Sequence, residues 1–305
     1  MPYLRVPNTS WEGIVDTGFG NRIQFWEVAY KLNKFNSFKF IILVDANKWR
    51  ETKFLNFPYT ESSNIRFNNL KDLTEIDARY PWLHKLDTNK SWDIIDEWPP
   101  YREDGFYGKW LHLITLKDKV LEKKIKELVK DRVGIHIRHW TTGEMFRAVD
   151  QKYYPTERFK YAEKMNLVRK TLDKFPNSKF YVSTDITYNK PTIGPLLPDF
   201  RKEPHWLSEV YRDYDVVDYR DIISVDELLP TVIKDENNTK WSKIYDMDGE
   251  EDLEFMEINK IYDVKFQRDV IDLFSLIYSK EFITSSKTGR YSSWSEFVEI
   301  YRKNI

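Results

Sequence analysis

Cysteine is absent from this 305-residue chain, which excludes disulfide frameworks, thiolate zinc sites, iron–sulfur clusters and thiol nucleophiles. An excess of one charge is missing too: 48 Lys and Arg stand against 49 Asp and Glu, a formal net of −1. That balance, with no sustained basic block, argues against a nucleic-acid partner held by phosphate neutralisation. No apolar run approaches the roughly 18 residues that a membrane helix needs. The opening residues, Met1 to Pro7, show no charged region followed by an apolar one, so no signal peptide is expected. His84, His112 and His205 lack His-x-x-x-His or carboxylate spacing and read as structural, so no metal site is expected. What is present is a core: 41% hydrophobic and 16% aromatic residues are far from a disordered composition. At roughly 100–200 residues per domain, the length predicts two domains, in a soluble and intracellular protein.

The pattern along the chain alternates strands and helices. Ile14-Val15 reads as a short strand and residues 16–21 as a glycine-bearing turn; Ile23, Trp26 and Tyr30 then recur at helical spacing. Residues 39–45 are apolar on both faces, as a buried parallel strand requires. Residues 48–108 read as irregular. Apolar positions from Leu116 to Val129 predict an amphipathic helix rich in Lys and Glu, and the domain boundary is placed just after it, giving domains 1–130 and 131–305. In the second domain, residues 133–138 form a strand, a loop runs to Tyr154, and Pro155 opens a helix that continues to Leu172. Strands at 179–183 and 281–284, a helix at 270–277 and a closing helix at 291–302 complete the pattern. This is an α/β protein with parallel sheets. Residues 234–252 are polar and acidic; Asp246-Met247-Asp248-Gly249-Glu250 lacks calcium-loop ligand spacing and reads as a solvated loop.

In such folds ligands collect at the carboxyl ends of the strands, so the polar residues there are the ones to weigh. Gly18-Phe19-Gly20-Asn21-Arg22 opens a helix, where glycine permits close anion approach and the helix end is partly positive; an ordinary tight turn reads equally well. His136 and Arg138 alternate on one strand and so share a face. Their anionic partner is either a protein carboxylate or a ligand phosphate, which guanidinium matches with two bonds. Asp185 ends the next strand, as a cap or as a partner for a base or ribose. Thr284-Ser285-Ser286-Lys287-Thr288-Gly289-Arg290 is either a polar turn or a diphosphate cradle.

Taken in register, these segments resemble the GDP-fucose-dependent fucosyltransferases. Residues 18–22 resemble that superfamily's amino-terminal glycine-Asn motif, and Val133-Gly134-Ile135-His136-Ile137-Arg138 its His-x-Arg strand. Residues 181–185 are similar to its strand ending in Thr-Asp or Ser-Asp. Ile271-Asp272 followed by Ser285, Ser286 and Arg290 is similar to the Ser-Ser-x-x-x-Arg motif of the α1,6 branch. The likeness spans residues 13–43 and 133–299; residues 47–118 and the insert at 234–259 lie outside it.

The resemblance implies a GT-B fold of two facing Rossmann-like domains, with the nucleotide sugar held by the second. It implies that Arg138 grips the β-phosphate and stabilises the departing GDP, and that His136 and Asp185 meet guanine or ribose. Ser285, Ser286 and Arg290 would cradle the diphosphate, and Gly18, Gly20, Asn21 and Arg22 would close on it from the first domain. Such enzymes invert the anomeric centre and need no metal or other cofactor; the donor is GDP-fucose and the acceptor a glycan. Inversion requires a general base, for which Glu144 is the first candidate and Asp150 the second. Where the family carries Arg-Arg or Arg-Gly and then Asp, this chain has His139-Trp140-Thr141, which puts the sugar specificity in question. The family's Golgi stem and anchor have no counterpart here, pointing to a cytoplasmic bacterial or viral version. A different nucleotide sugar, or a non-catalytic binding module on the same fold, are the rival readings.

Overall fold

The computed structural model describes residues 1–6, 19–46, 49–69, 73–77, 85–95, 108–137, 144–147, 152–155, 161–184, 208–223, 255–288 and 292–305. The chain divides into two units, one of Met1–Lys119 with Glu296–Ile305 and the other of Val120–Ser295.

The first unit contains β1 (Tyr3–Arg5), α1 (Phe19–Phe35), β2 (Ile41–Val44), β3 (Leu55–Asn56), β4 (Thr60–Ser62), α2 (Asn64–Asn69), β5 (Thr74–Asp77), β6 (Trp92–Ile95) and β7 (Thr115–Leu116). Five strands make one sheet in the order β4-β2-β1-β6-β5, and every pairing in it is parallel. Leu4, Ile42, Leu43, Val44 and Ile94 from the sheet are buried, as are Ile23, Trp26 and Tyr30 from α1; each such side chain contributes on the order of 1.5–3 kcal/mol. Asn33, near the end of α1, holds the reversal into β2 by bonding both main-chain groups of Phe40, at 2.7 and 2.9 Å.

The second unit contains α3 (Lys119–Val129), whose first residue is the last of unit one, then β8 (Arg132–Ile137), β9 (Glu144–Arg147), β10 (Lys152–Pro155), α4 (Tyr161–Leu172), β11 (Lys179–Thr184) and α5 (Ser208–Asp213). There follow β12 (Val216–Val217), α6 (Phe255–Tyr278), β13 (Glu281–Ile283) and α7 (Ser293–Lys303). Its main sheet runs β12-β11-β8-β13, again parallel throughout. Strand alternation makes the two faces of this sheet chemically different. On one face Val133, Ile135, Ile137, Phe180 and Val182 join Val168, Leu172 and Val210 in an apolar cluster. The opposite face carries Gly134, His136, Tyr181 and Ser183, with Tyr181 beside Gly134 and Ser183 beside His136 in the strand register. Against it lies α6, so closely at Gly134 that a Cβ there would stand 3.1 Å from Leu276 Cδ2 and 2.5 Å from the Oγ of Ser279, just past the helix.

Both units are α/β with parallel sheets, as the alternation predicts. Several elements differ in place. The expected strand at Ile14-Val15 and the residue Gly18 lie outside the described residues, while β1, unforeseen, is the middle strand of the first sheet. Residues 48–108 are not irregular throughout: β3 to β6 and α2 fall there, in segments too short and too charged to show an apolar run. Leu116 pairs in β7 with Leu55 rather than starting a helix, and Val120 is exposed rather than part of the apolar face of α3. Pro155 closes β10 instead of opening α4; it ends an antiparallel pair with β9, a place where proline's missing N–H is tolerated.

The division between units also falls elsewhere than at 130/131. Most of α3 belongs to unit two, where Glu122 accepts a hydrogen bond from the Tyr278 hydroxyl at 2.7 Å. Most of α7, from Glu296 on, belongs to unit one, where the Tyr301 hydroxyl donates to the Ile114 carbonyl at 2.8 Å. Among the described residues no helix is long and apolar enough to cross a membrane.

Candidate functional site

In unit two the strand order reverses direction beside β8: β11 and β12 extend to one side and β13 to the other. Such a switch point opens a crevice at the carboxyl ends of the two flanking strands, where open parallel sheets bind ligands. His136 is the next-to-last residue of β8, and Ser285 lies just past β13 at the start of the 3-10 turn Ser285–Thr288. The sequence places Arg138 and Asp185 one residue beyond the ends of β8 and β11.

The described side chains at this edge are closely bonded. His136 is 5% exposed, and its Nδ1 lies 2.7 Å from Ser295 Oγ in the first turn of α7. The Ser285 N–H donates to that same Oγ at 3.0 Å, and Ser295 Oγ–H donates to Ser285 Oγ at 3.1 Å. Beside them Thr284 Oγ1 and Ser286 Oγ are 2.6 Å apart. Ser285 is fully buried, whereas Ser286 and Lys287 are exposed. Hydroxyls thus run from a sealed interior to the surface over three consecutive residues.

A second polar group underlies the edge and was not singled out from the sequence as functional. Arg268, Asp272 and Ser275 recur on one side of α6, with Ser279 just past its end, and all four are buried. The Tyr181 hydroxyl donates to Asp272 Oδ1 at 2.7 Å. Arg268 Nη2 donates to the Thr184 carbonyl at 2.5 Å, its Nε is 3.6 Å from Asp272 Oδ2, and its guanidinium lies 4.9 Å from the Tyr219 ring centroid. Arg268 therefore ties down the last residue of β11, immediately before Asp185. Burial pushes the Asp272 carboxyl up to about 7, against the pull of Arg268 and of the Tyr181 bond; burial and Asp272 together drive the Tyr181 hydroxyl well above its usual range. The readable signal was the spacing: four polar residues at helical intervals among Val270, Ile271, Leu273, Phe274, Leu276 and Ile277.

Comparison with known proteins is sparse. No family model matches the chain, and no curated protein matches it. Solved structures similar to it include two fucosyltransferases. One is NodZ α-1,6-fucosyltransferase soaked with GDP-fucose, at 12% identity and a TM-score of 0.48, covering 93% of this chain and 89% of that one. The other is fucosyltransferase NodZ from Bradyrhizobium, at 11% identity and a TM-score of 0.47, covering 92% and 89%. At such identities the chemistry has to be argued from this chain's own residues.

The remaining expected site residues are distributed as follows. Gly20 and Asn21 lie in the first turn of α1, which begins at Phe19. Arg22 is buried and ion-paired with the buried Glu51, so in this structure its charge is met within unit one. Glu144 opens β9, paired in register with Pro155, rather than standing in a loop. Arg138, Asp150, Asp185 and Arg290, with Trp140 and the acidic segment 234–252, lie outside the described residues. Among the described residues no group of three or more His, Asp or Glu is placed to hold a metal ion.

Proposed function

We propose that this protein is an inverting, metal-independent glycosyltransferase that moves fucose from GDP-fucose to a hydroxyl of a glycan. The observation that supports the reading is that His136 and Ser285, which belong to segments resembling the fucosyltransferase donor motifs, stand near the carboxyl ends of β8 and β13, where the strand order of a parallel sheet reverses. In this reading the nucleoside lies against His136 and Asp185, and the diphosphate against Ser285, Ser286 and Arg290. The acceptor oxygen attacks the anomeric carbon as the bond to the β-phosphate oxygen breaks. Glu144 takes the acceptor proton, and Arg138 meets the charge released on GDP.

Calorimetry is the direct test. GDP should bind, UDP more weakly, and EDTA should change neither binding nor transfer. Arg138→Ala should lower turnover by about 10²–10³-fold while the melting temperature holds. A chain that binds no GDP and keeps its turnover in Arg138→Ala is not this enzyme.

A further inference from the structure

We propose that unit one carries a glycan-binding ledge at the amino-terminal edge of its sheet, where the stacked rings of Phe38 and Tyr59 take the apolar face of one pyranose. The proposal rests on the reading above only in taking a glycan as the ligand. At this edge α1 ends and the parallel strands β2 and β4 begin, opposite the carboxyl ends where open parallel sheets collect ligands. Two separate connections deliver the rings. The Lys34 and Asn33 carbonyls accept the Ser37 and Phe38 N–H groups, at 3.1 and 2.5 Å, a closure that ends a helix through one left-handed residue. Ser37, at φ +60°, is that residue; Phe38 follows at φ +58°, which the closure does not require. Just before β4 the Thr60 N–H donates to the Phe57 carbonyl at 3.1 Å. With Pro58 second and Tyr59 third at φ +59°, this is a type II turn, whose third position favours glycine or asparagine. A bulky side chain in left-handed backbone is strained, and such strain gathers at ligand-holding sites. Here both strained side chains are aromatic, and their rings stack at 4.7 Å and 17°.

The pair has a rigid backing and a polar rim. Tyr30 stands 5.8 Å from Phe38 and 6.1 Å from Tyr59, and Trp110 is 5.6 Å from Tyr30. Tyr30 and Trp110 are buried, whereas Tyr59 keeps 49% of its surface in solvent although its ring lies on Phe38. Lys34 is exposed, with its Nζ 5.5 Å from the Trp110 ring centroid. Ser37 and Lys39, the chain neighbours of Phe38, are exposed as well. An aromatic surface rimmed by hydrogen-bond donors fits a pyranose, which has an apolar C–H face and hydroxyls around its edge. A protein partner fits less well, because a standard interface takes about 800 Å² from each side and the ledge offers one tyrosine ring with its rim.

The test applies the full chain, without nucleotide, to a printed array of neutral and uronic-acid oligosaccharides, and titrates the strongest binder by calorimetry. Retention on either arm is the expected result. Tyr59→Gly, which suits the turn, should raise the Kd about tenfold while the melting temperature holds. Tyr59→Trp, which keeps an aromatic face, should bind as the wild type does. Should the glycine variant not fold, Tyr59→Asn, also suited to the turn, gives the same reading. No retention on either arm overturns the proposal, as does a Tyr59→Gly chain with unaltered glycan affinity. A dimer that Tyr59→Gly dissociates in sedimentation, with no glycan bound, would assign the ledge to a second copy of the chain and overturn it too. A chain that binds glycan through Tyr59 yet binds no GDP removes the transferase reading and leaves the ledge standing.

Discussion

Helices α1 and α6 both bury polar side chains against a parallel sheet, and they use them differently. On α1 Arg22, Glu27 and Asn33 each meet a partner that fixes the fold. Arg22 meets Glu51, Asn33 clasps the main chain of Phe40, and Glu27, fully buried, accepts the Gly108 and Trp110 N–H groups at 2.8 and 3.2 Å. These contacts stitch α1 to segments far along the chain. On α6 the polar groups form a single stripe turned to one sheet face, where Asp272 meets Tyr181 and Arg268 reaches the end of β11. Buried polarity dispersed over several partners holds a fold together; buried polarity aligned toward one sheet edge prepares a site.

Breaking the aligned set should be the more damaging. Arg268→Ala takes the paired guanidinium from the Asp272 carboxyl and one donor from the Thr184 carbonyl, both inside unit two. Removing one partner of a buried pair costs about 3–5 kcal/mol, to be read by urea denaturation. Replacing both groups, as in Arg268→Met with Asp272→Leu, should recover much of that loss in stability while GDP binding stays weakened, because the end of β11 is no longer held. Equal recovery of binding would show that the stripe serves the fold alone, as on α1.

Acidity distinguishes the same two helices. Glu27 and Asp272 are each pushed up to about 7 by burial, above the usual carboxyl range in an unfolded chain. The folded state then binds these protons more tightly than the unfolded state does. Their contribution to stability is fully present below the unfolded carboxyl range and is lost as pH rises through about 7, at up to about 1.4 kcal/mol per pH unit for each group. Denaturation midpoints should fall between pH 5 and pH 8. Glu27→Gln should remove the share of that slope due to unit one and Asp272→Asn the share due to unit two. A midpoint that climbs across this range would contradict both assignments.

A smaller effect probes how closely α6 lies on the sheet. In Gly134→Ala the new methyl group would stand 2.5 Å from Ser279 Oγ and 3.1 Å from Leu276 Cδ2. Overpacking of this kind costs about 1–3 kcal/mol. With Ser279→Gly in the same chain most of the loss should vanish, which a thermal melt of the single and double variants would show.

The parts of this molecule that could be read in advance are those where one segment carries its own signal. β2, β8 and β11 are buried on both faces, so their apolar runs stand out, and the His136–Arg138 alternation is visible within a single strand. β1 gave no such sign although it is central. Its Arg5 is tolerated there because Asp93 on neighbouring β6 meets it, with a 3.0 Å bond from Nε to Oδ1, and nothing local announces a partner so distant. The pair β9–β10 was hidden for a related reason, since Glu144 and Pro155 look like loop residues until their strands meet. At the candidate site His136 and Ser285 were legible as motif residues, whereas Ser295 was not: a serine at the start of a helix resembles an ordinary cap, and its bonds to His136 and Ser285 exist only once β8, β13 and α7 are brought together.

The smallest effect tests the return of the chain to unit one. The Tyr301 ring is buried there, and its hydroxyl reaches the Ile114 carbonyl, just before β7. Tyr301→Phe removes only the donor and strands one buried carbonyl, a loss of about 1 kcal/mol. Because α7 begins with the serine that bonds His136 and ends with this contact, the variant separates its two ends. Stability should fall in a thermal melt while GDP affinity stays as it is. A loss of GDP affinity on removing this remote hydroxyl would mean that the fold-holding and site-building uses of buried polar groups are not separate.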